Sequence, residues 1–170
     1  MKQSIVSFLF LFILGSTLQA QIKSPSEFLP NYGKQITFYH QTEAYFGHLV
    51  KESSFIKHQV YGQTNEERNL NVYFVSTPEN LAILDQIRNN NLSAIGLSNQ
   101  KNQKIGDKLI VWISFSVHGN EYAGMESAMT VAYELLNPAN KETKEWLKNT
   151  IVILDPCENP DGLSRYANWL

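Results

Sequence analysis

The residues of this chain best suited to chemistry are a histidine and a glutamate three positions apart, His118 and Glu121. Imidazole nitrogen and carboxylate oxygen are both good zinc donors. A mostly apolar run, 109–117, precedes this His118–Glu121 pair, and a helical pattern begins directly after it. Because Gly119 allows a sharp turn, such a corner can hold the two side chains close together. The spacing therefore predicts two metal ligands, although a short motif of this kind also fits a polar loop with a solvated histidine.

Two apolar runs, 109–117 and 150–155, flank a helical pattern over about 122–136. The first run has no polar side, which predicts a central strand covered on both faces. A strand–helix–strand unit of this kind almost always has parallel strands, which end at the same edge of the sheet. We therefore expect Asp155 and the segment Asn159–Gly162 to lie near the pair, where open α/β sheets bind ligands.

Asp155 is a further candidate for the site. A carboxylate at the adjacent strand end could orient His118 through its free ring nitrogen, as is common around zinc, while a capping role is the alternative. The Asn159–Gly162 segment is interpreted as a backbone turn in which proline presets the geometry and glycine supplies a positive φ. Arg165 is interpreted as a surface or structural residue.

The amino-terminal half predicts a helix over 40–53 and two strands over 56–61 and 70–76, joined as a hairpin. A second helix begins with Thr77 as its cap and continues to about Asn89. The polar stretch 89–107 is predicted to be an exposed connection. Together with the strand–helix–strand unit, these elements indicate an α/β fold with a mixed, largely parallel central sheet and helices on both faces.

Residues 1–20 have the pattern of a signal peptide. Lys2 supplies a positive start, Ile5–Leu14 is apolar, and a small residue precedes the expected cleavage between Ala20 and Gln21. The apolar stretch is shorter than the roughly 20 residues of a membrane span, so a retained anchor is the less favoured alternative. We therefore expect an exported protein, periplasmic or extracellular, with a single domain over 21–170 and no membrane association after cleavage.

Composition excludes several classes of protein. The net charge is −2 and no basic block is present, which argues against a nucleic-acid partner. Cys157 is the only cysteine, so neither an internal disulfide nor a thiolate zinc cluster can form, and a small buried hydrophobe is its expected role. The other three histidines lack metal spacing and are expected to be solvated or hydrogen-bonded: His40, His48 and His58.

Several motifs of the chain resemble those of the zinc carboxypeptidase family, the metallopeptidases related to carboxypeptidase A. The matching stretches are Val117–Glu121 before a helix and Asp155–Gly162 after the next strand. Tyr61–Arg68 resembles the family's early hairpin, and Ser76–Asn80 is similar to the continuation in secreted bacterial members. The resemblance covers essentially all of the chain after the signal peptide and indicates the amino-terminal part of the catalytic domain.

The resemblance implies that His118 and Glu121 are two of three protein ligands of a Zn²⁺ ion. It also implies that the third ligand, a histidine, and the glutamate general base lie beyond Leu170. The implied reaction is hydrolysis of the last bond of a peptide with a free carboxyl terminus by a zinc-activated water. Because the chain contains only two of the three implied zinc ligands, it is expected to be inactive alone.

Three alternatives share part of this evidence. A deacylase or amidase on the same scaffold would use the same two ligands with another substrate clamp. A catalytically dead, secreted binding module would keep the fold without zinc. A nucleotide-binding domain is disfavoured, because no glycine-rich phosphate loop follows either apolar strand.

Overall fold

The structure is a computed structural model that describes residues 21–97 and 108–170. The predicted signal peptide, 1–20, lies outside the described residues. None of the helices in the described part is long and apolar enough to cross a bilayer. In chain order the elements are α1 Pro25–Phe28, α2 Tyr39–Glu52, β1 Ile56–Gln63, β2 Asn69–Val75, α3 Pro78–Ala82, α4 Leu84–Ala94, β3 Leu109–Ser114, α5 Ala123–Leu136, α6 Lys141–Leu147, β4 Thr150–Asp155 and α7 Pro160–Trp169.

The four strands form one mixed sheet in the order β1-β2-β4-β3. β1 pairs antiparallel with β2, and β2 pairs antiparallel with β4. β3 pairs parallel with β4, in a register that runs from Leu109 opposite Thr150 to Ser114 opposite Asp155. The predicted mixed α/β fold and its strand–helix–strand unit are confirmed, and parallel pairing within the described residues is confined to β3 and β4.

The predicted hairpin is also confirmed, with one irregularity. The register between β1 and β2 shifts between Val60 and Gly62, which leaves Tyr61 without a residue opposite it. Such a β-bulge bends a strand and redirects the side chain of the extra residue. In this hairpin the bulge determines where the Tyr61 side chain points.

The segment after β2 differs from its prediction in two ways. Thr77 caps the predicted helix as expected, since its hydroxyl accepts a hydrogen bond from the backbone of Asn80. The helix divides in two at Ile83, whose backbone leaves the helical region at φ −120° and ψ 26°. The second part, α4, is anchored by buried Ile87. It continues to Ala94 and so extends into the stretch that was predicted to be a connection. The rest of that connection, 98–107, lies outside the described residues.

The main core lies between one face of the sheet and helices α2 and α5. Both helices present apolar side chains at helical spacing to this face, and that repeat is why the segments form helices there. The buried residues are Tyr45, Phe46 and Leu49 of α2, Ala128, Met129, Ala132 and Leu136 of α5, Ile56, Tyr73, Val75, Val152 and Leu154 of the strands, and Ile22 and Leu147 beside them.

Contrary to the prediction, the described residues do not cover β3 on both faces. Leu109 and Trp112 are 63% and 59% exposed, and β3 has one strand neighbour, β4, among the described residues. On the face of the sheet away from α2 and α5, helices α3 and α4 and the strands line a groove in which Ile151 is buried, and this groove reaches exposed Ile110 and Trp112 of β3. An apolar run shows that burial would be favourable, but it does not show which element provides it.

Candidate metal centre

His118 and Glu121 lie side by side just beyond the carboxyl end of β3. His118 Nδ1 is 3.1 Å from Glu121 Oε1, within hydrogen-bond distance. Both side chains are largely exposed, at 71% and 57%. A backbone hydrogen bond of 3.0 Å from Glu121 N–H to the His118 carbonyl closes the turn that joins them. The structure therefore brings together the two residues that the spacing singles out, at a strand-to-helix corner that solvent can reach.

The chain before the pair is tied to the start of α5 by Ser116. Its backbone has a positive φ of 53°, and its buried hydroxyl donates to the Glu121 carbonyl at 3.2 Å. A Cβ atom at Gly124 would lie 2.6 Å from the Ser116 oxygen, so the two backbones approach more closely than a larger residue permits. This close contact fixes the direction in which the chain enters α5.

Gly119, between the two candidate ligands, packs directly on Gly162 of α7. A Cβ atom at Gly119 would lie 2.2 Å from the carbonyl carbon of Gly162, a backbone atom that cannot rotate away. A glycine is therefore required by this close approach of two backbones. Sequence reasoning assigned Gly119 to the sharpness of the turn and missed the contact, which joins residues 43 positions apart in the chain.

The Asn159–Gly162 segment begins a helix. Asn159 is the cap of α7, and its side-chain oxygen accepts from Gly162 N–H at 2.9 Å, with Pro160 in the first turn. Gly162 lies inside the helix and is not among the described glycines with positive φ, which are Gly33 and Gly96. The prediction of a backbone device is confirmed, whereas the prediction of a positive φ at Gly162 is wrong. The cap-and-proline pattern was the available signal for a helix.

Asp155, at the end of β4, is buried beside the β3 end. Its Oδ2 accepts a hydrogen bond of 2.8 Å from the hydroxyl of Tyr61, the residue that the β-bulge redirects. Its Oδ1 has no hydrogen-bond partner in the described part of the chain. Burial raises the pKa of Asp155, the Tyr61 hydrogen bond partly offsets this, and nearby Glu158 raises it further. The contact found for Asp155 is thus Tyr61, and its predicted role in orienting His118 stays a prediction.

The backbone of the β4 end holds the loop that leads to the pair. Phe115 N–H donates to the Asp155 carbonyl at 2.9 Å, Glu158 N–H to the Phe115 carbonyl at 3.1 Å, and Asn159 N–H to the Ser116 carbonyl at 3.2 Å. These bonds continue the parallel pairing beyond the last paired residues of the two strands. The position of the pair therefore depends on the segment that joins β4 to α7.

A network of ion pairs ties the hairpin turn to α7. Arg68 contacts both Glu66 and Asp161, and Arg165 contacts Glu66. Asp161 also accepts from the Thr64 hydroxyl at 2.8 Å. Hydrogen bonds from Arg68 and Arg165 lower the pKa of Glu66. The structure thus pairs Arg165 with the hairpin, as expected of a structural residue, while sequence reasoning missed the rest of the network.

The remaining polar candidates lie apart from the pair. His48 accepts from Lys23 N–H at 3.1 Å, His58 lies 2.7 Å from the side-chain oxygen of Asn71, and His40 stacks on Phe38. Cys157 is buried, and burial raises the pKa of its thiol to about 12, which suits the predicted hydrophobic role. None of these side chains adds a ligand to His118 and Glu121.

The donor set of the pair fits zinc but is small. Imidazole nitrogen and carboxylate oxygen are ordinary zinc ligands, and here they stand within one hydrogen-bond distance of each other. Within residues 21–97 and 108–170, no three His, Cys, Asp or Glu side chains are grouped closely enough to hold a metal ion. Among the described residues, His118 and Glu121 are therefore the two candidate metal ligands at this corner.

A family model described as zinc carboxypeptidase matches residues 42–169 of the chain. This match spans well over half of the 170 residues and includes the hairpin, the pair and α7. The chain therefore belongs to the zinc carboxypeptidase family. A search among curated protein sequences finds no match.

Solved carboxypeptidase structures share this fold. Thrombin activatable fibrinolysis inhibitor is 16% identical, with a TM-score of 0.60, and the match covers 94% of this chain and 34% of that one. Carboxypeptidase A from Helicoverpa armigera is 17% identical, with a TM-score of 0.56, and the match covers 82% of this chain and 31% of that one. The chain therefore spans about a third of the length of these structures, and at such identities the likeness shows the fold alone.

Proposed function

We propose that this chain provides part of the catalytic domain of an exported zinc carboxypeptidase, with His118 and Glu121 as two of the protein ligands of the zinc ion. The observation that carries the proposal is the 3.1 Å approach of the two side chains at the carboxyl edge of the parallel strands. Membership of the zinc carboxypeptidase family supports the same assignment.

The surroundings of the pair suit a preorganised site. The Gly119–Gly162 contact fixes the turn between the two ligands, and the Ser116 hydroxyl fixes the carbonyl of Glu121. A metal site is most effective when its ligands are held in place before the ion arrives, because less conformational freedom is then lost on binding. His118 and Glu121 are also exposed enough for an ion and a substrate to reach them.

When bound, zinc supplies a water of lowered pKa, about 7, and polarises the scissile carbonyl. The part of His118 and Glu121 in this chemistry is to hold the ion and leave a side of it open to solvent. The proposed substrate is a peptide with a free carboxyl terminus, outside the cytoplasm, since residues 1–20 have the pattern of an export signal. The proposed partners include neither nucleic acid nor a membrane.

The chain alone is proposed to bind zinc weakly and to lack turnover. Catalytic zinc sites ordinarily use three protein ligands, and the described residues supply two. A general base is also needed to take a proton from the water. Among the described residues, no third His, Cys, Asp or Glu side chain is grouped with the pair.

Zinc affinity tests the assignment of the two ligands. Competition with a chromophoric chelator should show weak binding to the wild-type chain, and His118→Ala or Glu121→Ala should lower the affinity at least about 10-fold. His40→Ala is the matched control, because His40 is an exposed histidine that stacks on Phe38 and is not part of the pair. Equal zinc binding by wild type, His118→Ala and His40→Ala would overturn the proposed site.

A turnover assay tests the proposal that the chain alone is inactive. Peptides with a free carboxyl terminus, incubated with the chain and zinc, should be cleaved no faster than with His118→Ala. Robust release of the last residue that disappears in His118→Ala would show that the chain is sufficient for catalysis. Zinc-dependent cleavage of N-acylated amides without cleavage of peptides would instead favour the amidase alternative.

A further inference from the structure

Asp161, in the first turn of α7, is bound by the hairpin turn (64–68) through both of its carboxylate oxygens. Oδ1 accepts hydrogen bonds from Arg68 Nη1 at 2.6 Å and from the Thr64 hydroxyl at 2.8 Å, and Oδ2 accepts from Glu66 N–H at 3.1 Å. The Asp161 side chain is only 13% exposed. Because an ionised carboxylate accepts stronger hydrogen bonds than a neutral group does, these three donors hold the start of α7 against the hairpin turn.

The hairpin turn that supplies these donors is itself closed by backbone hydrogen bonds. Thr64 N–H donates to the Arg68 carbonyl at 2.9 Å, and Glu67 N–H donates to the Thr64 carbonyl at 3.1 Å. Glu67 has a positive φ of 60°, a left-handed conformation that is unfavourable for a residue other than glycine. Such a conformation persists only where the surrounding contacts determine it. The hairpin turn therefore presents its donors to Asp161 in one arrangement.

Asp161 also lies directly before the residue that packs against the candidate metal centre. Gly162, next in the chain, is so close to Gly119 that a Cβ atom at Gly119 would lie 2.2 Å from the Gly162 carbonyl carbon. Gly119 in turn lies between His118 and Glu121 in the turn that sets their separation. Because backbone atoms in such close contact move together, a displacement of Asp161 would be passed on to both candidate ligands.

We propose that Asp161 is a positioning residue for His118 and Glu121, which links the two zinc ligands to the hairpin turn. This inference rests on the proposed function. The carboxylate of Asp161 already accepts hydrogen bonds from the hairpin turn, so it acts through the position of the backbone and not through a bond to the ion. Zinc affinity is sensitive to that position, because a ligand that is not held in place must lose conformational freedom when the ion binds.

Two arginines of the ion-pair network allow the role of Asp161 to be separated from that of the network as a whole. Both Arg68 and Arg165 contact Glu66. Arg68 also binds Asp161 directly, whereas Arg165 joins α7 to the hairpin turn through Glu66, with its Nε 2.8 Å from that carboxylate. Removal of Arg68 should therefore disturb the two ligands much more than removal of Arg165, although each change removes one positive charge.

Zinc affinity of the full chain, measured by competition with a chromophoric chelator, tests the positioning role. Asp161→Asn and Arg68→Gln should each lower the affinity at least about 10-fold, as is typical when a residue that orients a metal ligand is lost. Arg165→Gln should lower it by no more than about 2- to 3-fold, and Lys148→Gln, which removes an exposed ion pair at the end of α6, should leave it unchanged. Wild-type affinity in Asp161→Asn while His118→Ala loses binding would overturn the positioning role alone. Wild-type affinity in His118→Ala would overturn the zinc site, and the positioning role with it.

Hydrogen exchange of the metal-free chain distinguishes positioning from a loss of overall stability. Glu121 N–H, which donates to the His118 carbonyl at 3.0 Å, reports on the turn between the two ligands, and Asn137 N–H, which donates to the Tyr133 carbonyl at 2.8 Å, reports on the other end of α5. Asp161→Asn should accelerate exchange at Glu121 at least about 10-fold and leave exchange at Asn137 nearly unchanged, because the lost hydrogen bonds release one local segment. Equal acceleration at both amides, or none at Glu121, would overturn the proposal.

Discussion

β4 and β3 are parallel neighbours with similar sequences and opposite surroundings. Ile151 and Leu154 of β4 are buried, whereas Leu109 and Trp112 of β3 are among the most exposed apolar side chains described. β4 lies between β2 and β3, while β3 has β4 alone beside it in the described residues. The two strands therefore differ in burial because they differ in the number of neighbouring strands among the described residues, and not because their sequences differ in hydrophobicity.

The comparison shows that two apolar strands can have different roles in one sheet. β4 is part of the core, and its last residue, Asp155, is buried and hydrogen-bonded to Tyr61. β3 adds less to the core and ends in the exposed His118–Glu121 pair. Among the described residues, the less buried strand thus leads to the exposed pair, and backbone hydrogen bonds from the end of the more buried one hold the loop before it.

The largest expected effect comes from shortening one leucine in each strand. Leu154→Ala should destabilise the chain by about 2–5 kcal/mol, because it removes fully buried methyl groups and leaves a cavity. Leu109→Ala should change the stability of the chain by no more than about 0.5 kcal/mol, because Leu109 is mostly exposed. Urea denaturation followed by circular dichroism measures both. Similar losses for the two variants would contradict the contrast between β3 and β4.

A smaller effect is expected where the end of β3 packs on the helix after β4. Gly119→Ala should cost about 1–3 kcal/mol and weaken zinc binding, because its methyl group would overlap the backbone of Gly162. Gly47→Ala is the matched control: it lies in α2 with open space around it, and it should stabilise by about 0.5–1 kcal/mol. Urea denaturation and chelator competition measure the two properties. A Gly119→Ala variant as stable as Gly47→Ala would show that the two backbones are not in close contact.

The elements that sequence analysis predicted correctly have local determinants. The helical repeat of α5 and the proline and cap that begin α3 each lie within a short window, so residue types and spacing identify them. The approach of His118 to Glu121 is also local, since one turn joins them. The prediction that β4 ends at the same edge as β3 needed only the rule for strand–helix–strand units.

What sequence analysis missed depends on contacts between distant segments. Tyr61 reaches Asp155 across 94 positions, after a bulge that no local pattern marked. Glu66 meets Arg165 across 99 positions, and both appear in sequence as ordinary surface charges. The exposure of β3 was mispredicted for a related reason, because burial is decided by the elements that pack against a strand and not by the strand itself.

The smallest expected effect concerns two aspartates near the end of β4, which should respond to pH in opposite ways. Burial raises the pKa of Asp155, so the folded chain holds this proton more tightly than the unfolded chain does, and ionisation costs stability as pH rises above about 4. Burial of Asp161 works in the same direction, yet hydrogen bonds from Arg68 and Thr64 leave its pKa lowered. Its stabilising contribution is therefore present above about pH 4 and lost as pH falls.

Asparagine substitutions at Asp155 and Asp161 test this difference in pH dependence. The free energy of unfolding of Asp155→Asn, relative to wild type, should rise as pH increases from about 3 to about 7, because the variant lacks the cost of ionising a buried carboxyl. The same difference for Asp161→Asn should fall as pH increases over this interval, because the variant lacks the ionised carboxylate that Arg68 binds. Free energies of unfolding from urea titrations at several pH values give both slopes. Slopes of the same sign would contradict the two environments described: a buried carboxyl with few hydrogen-bond donors at the end of β4, and a carboxylate with several donors at the start of α7.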